Sequence, residues 1–332
     1  MTSISSLEVG GGVVLQRNTP QHYENLKHFF NKEEVKRFPS EIHIVESSQQ
    51  VANALNRAQQ LGNSVGVRSG GHLPSKPSLI QDGILIDVSR LNRQVVYDEK
   101  TQQVAFGPAV RVFEAWEATN TVGRFFPFGH APDVALGGFC LAGGQGFFIK
   151  ETKTKISFGL PVAQGKPFFG VVTRLWSRTI PAKTLYGRSF VFNVGERFED
   201  LMTFAFDKND AMPNLFNECA VCTMHSELLL TDSADDYVPQ SSPLLLMINV
   251  SAYANTLIEA TNMLDVWDDV PESLERCLIK AELTTETDWK EFFQLQRRLN
   301  PQTPDQKWGI HSILNDPKVS RSKVIVNKSI VY

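Results

Sequence analysis

Val67-Arg68-Ser69-Gly70-Gly71-His72 carries an apolar extended segment straight into a glycine doublet and a histidine. Two adjacent glycines let the backbone approach a ligand closely and turn its N–H groups inward, a nest suited to a pyrophosphate. A histidine on the rim of that turn is placed to act as a nucleophile or acceptor. The same residues also suit a tight strand-to-strand turn whose histidine is merely polar surface.

Working outward, Ile42, Ile44 and Val45 predict a short buried strand. Ser47 and Ser48 are natural N-caps for a helix burying Val51, Leu55 and Ala58, with Gly62 as its stop. Val65 and Val67 restart an extended segment, so the turn closes a β-α-β unit. Downstream, Ile84, Leu85, Ile86 and Val88 predict a strand. Gln94 to Tyr97 and Gln103 to Phe106 flank a hairpin at Asp98-Glu99-Lys100-Thr101, and a helix follows over Val112 to Thr119.

A second glycine-punctuated stretch runs from Gly129-His130-Ala131-Pro132-Asp133-Val134 through Gly137-Gly138 and Gly143-Gly144 to Gly146. Its expected core is Val134, Leu136, Phe139 and Leu141. It lacks the G-x-G-x-x-G of a Rossmann turn and the Gly-Lys-Ser/Thr of a P-loop, and by itself reads as a bulged loop between sheets.

From Phe147 to Pro167 the chain changes character: Lys150, Lys153 and Lys155 alternate with polar residues and no period follows. Strands are then expected over Phe169 to Arg174, Leu185 to Phe192, Glu218 to Met224, Leu244 to Val250 and Leu278 to Ala281. Helices are expected over Phe198 to Phe206, Leu257 to Trp267 and Trp289 to Leu299. This is an antiparallel sheet with helices on one face, and the fold class is α+β. Trp289, Phe292 and Phe293 have the helical spacing of core residues.

The 332 residues, 42% of them apolar, suffice for a large core or two domains. A net charge of -3, with no basic stripe, argues against a nucleic-acid partner. No segment has the length and apolarity of a membrane span. The first residues lack the basic flank and apolar run of a signal peptide, which makes the cytoplasm the default location. Four cysteines do not make a disulfide framework. Cys219 and Cys222, with His225 nearby, lack a second ligand pair and would point to opposite strand faces; they read as buried structural cysteines, and no metal site is expected.

Together the two glycine stretches resemble the FAD-linked oxidases with a vanillyl-alcohol-oxidase-type (PCMH-type) flavin domain, in particular the berberine-bridge-enzyme-like branch. The similarity runs through Pro39-Ser40-Glu41-Ile42, the attachment turn, Asp87-Val88-Ser89-Arg90-Leu91-Asn92, Gly107-Pro108-Ala109 and Gly129 to Gly146, and resumes at Phe169-Gly170-Val171-Val172-Thr173. It implies a PCMH-type domain of two α/β subdomains over 1–183 and a partial substrate domain over 184–332. His72 matches the position bonded to the flavin 8α-methyl group. Arg68 belongs to the same cofactor turn, and the amides of Ser69, Gly70 and Gly71 match those that hold the pyrophosphate. Val134, Gly137, Gly138 and Gly143 match the loop that passes the cofactor. Ala131 stands where bicovalent members have a cysteine, so the expected link is through His72 alone. His130 is the side chain near the flavin ring that could transfer protons, a position that more often only lines the pocket. The implied activity is oxidation of a small organic alcohol, sugar or secondary-metabolite intermediate, with O2 reduced to H2O2. Relative to the family pattern, the stretch between Gly146 and Phe168 and the C-terminal part are short. A second reading is therefore a chain that has lost catalysis and persists as a binding or structural protein.

Overall fold

The computed structural model describes residues 7–9, 12–30, 35–73, 75–141, 146–148, 170–213, 215–225 and 243–299. Gly143 and the lysines at 150, 153 and 155 lie outside the described residues. The described chain divides into two compact units, one of 7–141, 170–181 and 296–299, the other of 146–148 and 182–295.

The first unit begins with β1 (Leu7–Val9), β2 (Gly12–Gln16), α1 (Pro20–Leu26), β3 (Glu41–Ile44), α2 (Ser48–Leu61), β4 (Val65–Arg68) and β5 (Ile84–Asp87). The signals predicted for α2 are the ones that bound it: the Gln50 N–H donates to Ser47 Oγ, and Gly62 ends the helix at φ 65°. Its face of Val51, Ala54 and Ala58 packs on Ile84, Ile86 and Val88. On the opposite sheet face Leu15, Ile42 and Leu85 meet Leu26, Phe29 and Leu79. The sheet order is β1-β2-β3-β5-β4, and β5 runs parallel to both β3 and β4. The two strands of the β-α-β unit are therefore not neighbours, and β4 delivers its turn from the edge of the sheet.

Next come β6 (Val95–Asp98), β7 (Gln103–Phe106), α3 (Val112–Asn120), β8 (Arg124–Phe125), α4 (Leu136–Leu141), β9 (Leu175–Arg178) and β10 (Ile180–Pro181). β6, β7 and β9 form one antiparallel sheet, and β8 pairs with β10. Two expectations need correction here. Of the strand predicted over Phe169 to Arg174, the described residues 170–174 are not strand; it begins at Leu175, because β9 takes its register from β7 through Leu175 opposite Phe106. Leu175 and Ser177 then face inward, and Trp176 stays 63% exposed. The second glycine stretch is not wholly loop either, since α4 incorporates Gly137 and Gly138. Of its expected apolar quartet only Leu136 is buried; Ala135 and Cys140 fill the remaining core places.

The second unit contains β11 (Thr184–Asn193), α5 (Phe198–Ala211), β12 (Asn217–His225), β13 (Leu244–Ala254), α6 (Leu257–Leu264), α7 (Glu272–Glu275), β14 (Leu278–Ala281), β15 (Thr285–Glu286) and most of α8 (Trp289–Leu299). Its sheet is antiparallel, ordered β12-β13-β11-β14 with β15 also on β11. Phe190, Phe192, Ile248, Leu264 and Trp267 form its core. Phe148 stacks on Tyr253 at 5.1 Å between ring centroids, and its amide donates to Glu218. Strand alternation separates the cysteines: Cys219 packs against the core, whereas Cys222 is exposed, contrary to the expectation that both are buried. Among the described residues no helix is long and apolar enough to cross a membrane, and no three His, Cys, Asp or Glu side chains cluster as metal ligands.

Candidate functional site

The turn after β4 rests on a buried ion pair. The Arg68 guanidinium donates to Asp87 at 2.5 Å and to both the main-chain and side-chain oxygens of Asn25, with the Phe29 ring centroid 4.8 Å away. Burial pushes the Asp87 carboxyl up, but the adjacent Arg68 outweighs it and holds the group below its ordinary range. The Arg68 side chain is thus the floor of the turn, directed into the protein.

Above that floor, Gly71 sits at φ 65°, and a Cβ there would stand 2.9 Å from the His28 oxygen. The Gly71 oxygen accepts from the Phe30 amide, and the Phe30 ring stacks on His72 at 4.3 Å and 19°. His72 is half-buried. Burial, then the positive charge of Arg111, lowers its pKa to about 4, against a smaller opposing effect of Asp133. At neutral pH its imidazole is uncharged and keeps a lone pair for nucleophilic attack.

The two glycine stretches meet in space. A Cβ on Gly70 would lie 2.9 Å from the Ala135 Cβ and 3.1 Å from Arg111 Nη1. Ser69 Oγ donates to the Pro108 oxygen, which also accepts from the Gly137 amide at 3.1 Å. The Val112 amide donates to the Val134 oxygen and the Leu136 amide to the Val110 oxygen, so the 107–112 segment joins both stretches. A Cβ on Gly137 would press on Pro108 at 2.6 Å, whereas one on the exposed Gly138 would meet nothing within 4 Å among the described residues. His130 is half-buried at the start of the same loop.

Arg111, Asp133 and Phe30 also surround His72 and are not evident as site residues from the motifs. Arg111 occupies the N-cap of α3, a position that favours Ser, Thr, Asp or Asn, and that misfit was the available signal. Its amide donates to Glu114 and its guanidinium to the Asp133 main-chain oxygen. The Asp133 carboxylate pairs with Arg297 at 3.0 Å. A separate cleft of about 270 Å³ lies beside β2, β3 and α2, where Glu41 pairs with His43 and Arg57; neither glycine doublet lines it.

Residues 39–154 match the family described as FAD binding domain. The chain is 28% identical over 202 residues to the FAD-linked oxidoreductase ptmO of Penicillium ochrochloron, covering 53% of this chain and 45% of that protein. It is 34% identical over 112 residues to the aclacinomycin-N/aclacinomycin-A oxidase of Streptomyces galilaeus, covering 32% and 20%. Among solved structures, 6-hydroxy-D-nicotine oxidase from Arthrobacter nicotinovorans superposes with a TM-score of 0.70 at 17% identity, over 90% of this chain and 66% of that one. The chain carries an FAD-binding domain, is related to FAD-linked oxidoreductases, and has the α+β fold of PCMH-type flavoproteins. Its alignment spans less than half the length of the Penicillium relative.

Proposed function

We propose that this protein is an FAD-dependent oxidase of the berberine-bridge-enzyme-like branch that holds its flavin covalently through His72. The observation that carries this reading is the half-buried His72, kept uncharged on the rim of a glycine turn. FAD suits the surroundings: among the described residues nothing meets a Cβ on Gly138, and the glycine turn over Ser69, Gly70 and Gly71, with Gly71 at φ 65°, is a backbone shape that can turn amides toward a diphosphate. Val134, Gly137, Gly138 and Gly143 are assigned to the loop along the cofactor. Arg68 contributes by holding the turn from beneath. Ala131 offers no thiol for a second link.

Bound FAD supplies two-electron chemistry, and the protein supplies orientation and electrostatics. With FAD bound, the substrate would be a small organic alcohol, sugar or secondary-metabolite intermediate, whose hydride the cofactor would accept while the protein takes the hydroxyl proton. His130 is assigned the proton. Dioxygen would be the final acceptor, taking the two electrons and two protons and leaving as H2O2. The name of the Streptomyces relative, an oxidase, supports this choice of acceptor.

The test is acid denaturation of the purified full chain, with His72→Ala as control. A yellow, fluorescent wild-type pellet beside a colourless His72→Ala pellet is expected. Flavin found only in the supernatant would retain FAD and overturn the bond; no flavin in either fraction would leave a protein that has lost its cofactor.

A further inference from the structure

Arg111 is a cation held in an unusual place. It stands at the N-cap of α3, where the dipole of the helix disfavours positive charge. Its guanidinium donates to a main-chain oxygen, that of Asp133, while the carboxylate of the same residue is engaged by Arg297. Glu114, the nearest acidic partner on α3, is shared with Arg93 and with the Arg111 amide. Arg111 Nη1 also reaches within 3.1 Å of where a Gly70 Cβ would stand. One side chain therefore touches the second loop and abuts the attachment turn, two residues before His72.

We propose that Arg111 is a positioning residue for flavin attachment: it packs the 68–72 turn against the Asp133 loop and sets its guanidinium against Gly70, two residues before His72. This role rests on the covalent reading above. Attachment joins an imidazole nitrogen to the flavin 8α carbon. The carbon gives up one hydrogen and the imidazole another. The flavin ring retains the two electrons and two protons until dioxygen removes them as H2O2. An imidazolium has no lone pair for the new bond, so the reaction needs the neutral ring. Among the described residues the charges acting on His72 are Arg111, which favours that state, and Asp133, which opposes it; Phe30 covers one ring face without charge. Arg93, Asp133, Glu114 and Asp87 act in turn on Arg111.

The experiment uses the full chain prepared without flavin, as wild type, Arg111→Gln, which keeps a donor without the charge, and Arg111→Lys, which keeps the charge. The ring protons of His72 are titrated by NMR, with His72→Ala for assignment. FAD is then added and covalent incorporation is followed by flavin fluorescence in denaturing gels across pH. Burial persists in Arg111→Gln, so His72 should titrate higher than in wild type and stay below an ordinary imidazole. The acid limb of the incorporation rate should move with it, with the rates converging at higher pH, and Arg111→Lys should stay near wild type. A general structural loss would instead lower the rate at every pH. A His72 titration unchanged in Arg111→Gln, or a rate deficit that higher pH does not repair, overturns the proposal. Wild type that binds FAD without forming the bond overturns the covalent reading itself, and the titration still decides whether Arg111 controls the charge of His72.

Discussion

Gly70-Gly71 and Gly137-Gly138 look alike in the sequence and are built for different reasons. At Gly70 and Gly71 a side chain would meet Ala135, Arg111, His28 or Phe29, so the protein itself occupies the space. The second doublet is divided. Gly137 is pressed against Pro108, and Gly138 meets no described residue on its Cβ side. Three of the four glycines are thus required by close packing of the chain, and one leaves room beside an exposed surface. A glycine doublet in a nucleotide-type turn does not by itself mean that both residues face a ligand.

The largest effect should come from undermining the first doublet from below. Asp87→Asn leaves the buried Arg68 cation without its counter-charge, and we expect a loss of about 3–5 kcal/mol in denaturant unfolding at neutral pH. Because the folded-state pKa of Asp87 is depressed, its stabilisation is present above the unfolded carboxyl pKa and is lost as pH falls through the folded value. The difference between wild type and variant should therefore shrink on acidification. A variant as stable as wild type would mean that the turn does not depend on this pair.

A smaller effect is expected at the packed member of the second doublet. Gly137→Ala puts a Cβ 2.6 Å from Pro108 and should cost about 1–3 kcal/mol, read as a lowered midpoint in the same unfolding experiment. Gly138→Ala should do the opposite to stability, a gain of up to about 1 kcal/mol from replacing a helical glycine. If the open space beside Gly138 receives the cofactor, that variant should nonetheless bind FAD more weakly in a flavin-fluorescence titration. Unchanged FAD affinity would remove Gly138 from the site and erase the distinction between the doublets.

Much of this was legible from local chemistry. Ser47 and Gly62 bound α2, and the Asp98 to Thr101 turn closes a hairpin, because caps and turns act over a few residues. The insertion of β5 between β3 and β4 was not legible, since strand order depends on partners distant in sequence. The same reason moved the strand expected at Phe169 to Arg174 onto Leu175–Arg178. In α4 packing against Pro108 and Val110 overrides the poor helix propensity of two glycines. For the site, the motif pointed to His72 but not to what surrounds it. Phe30, Arg111 and Asp133 reach that neighbourhood from separate segments, and no spacing rule joins them.

Peptide mapping of a tryptic digest locates the proposed bond at His72. Cleavage after Arg68 and Arg90, with Lys76 protected by Pro77, yields a peptide of residues 69–90 that contains His72. This peptide should carry the mass of one covalently attached flavin and its absorbance, and the same peptide from His72→Ala should carry neither. Flavin found on a different peptide, or a wild-type 69–90 peptide without flavin from protein shown to contain FAD, would contradict it.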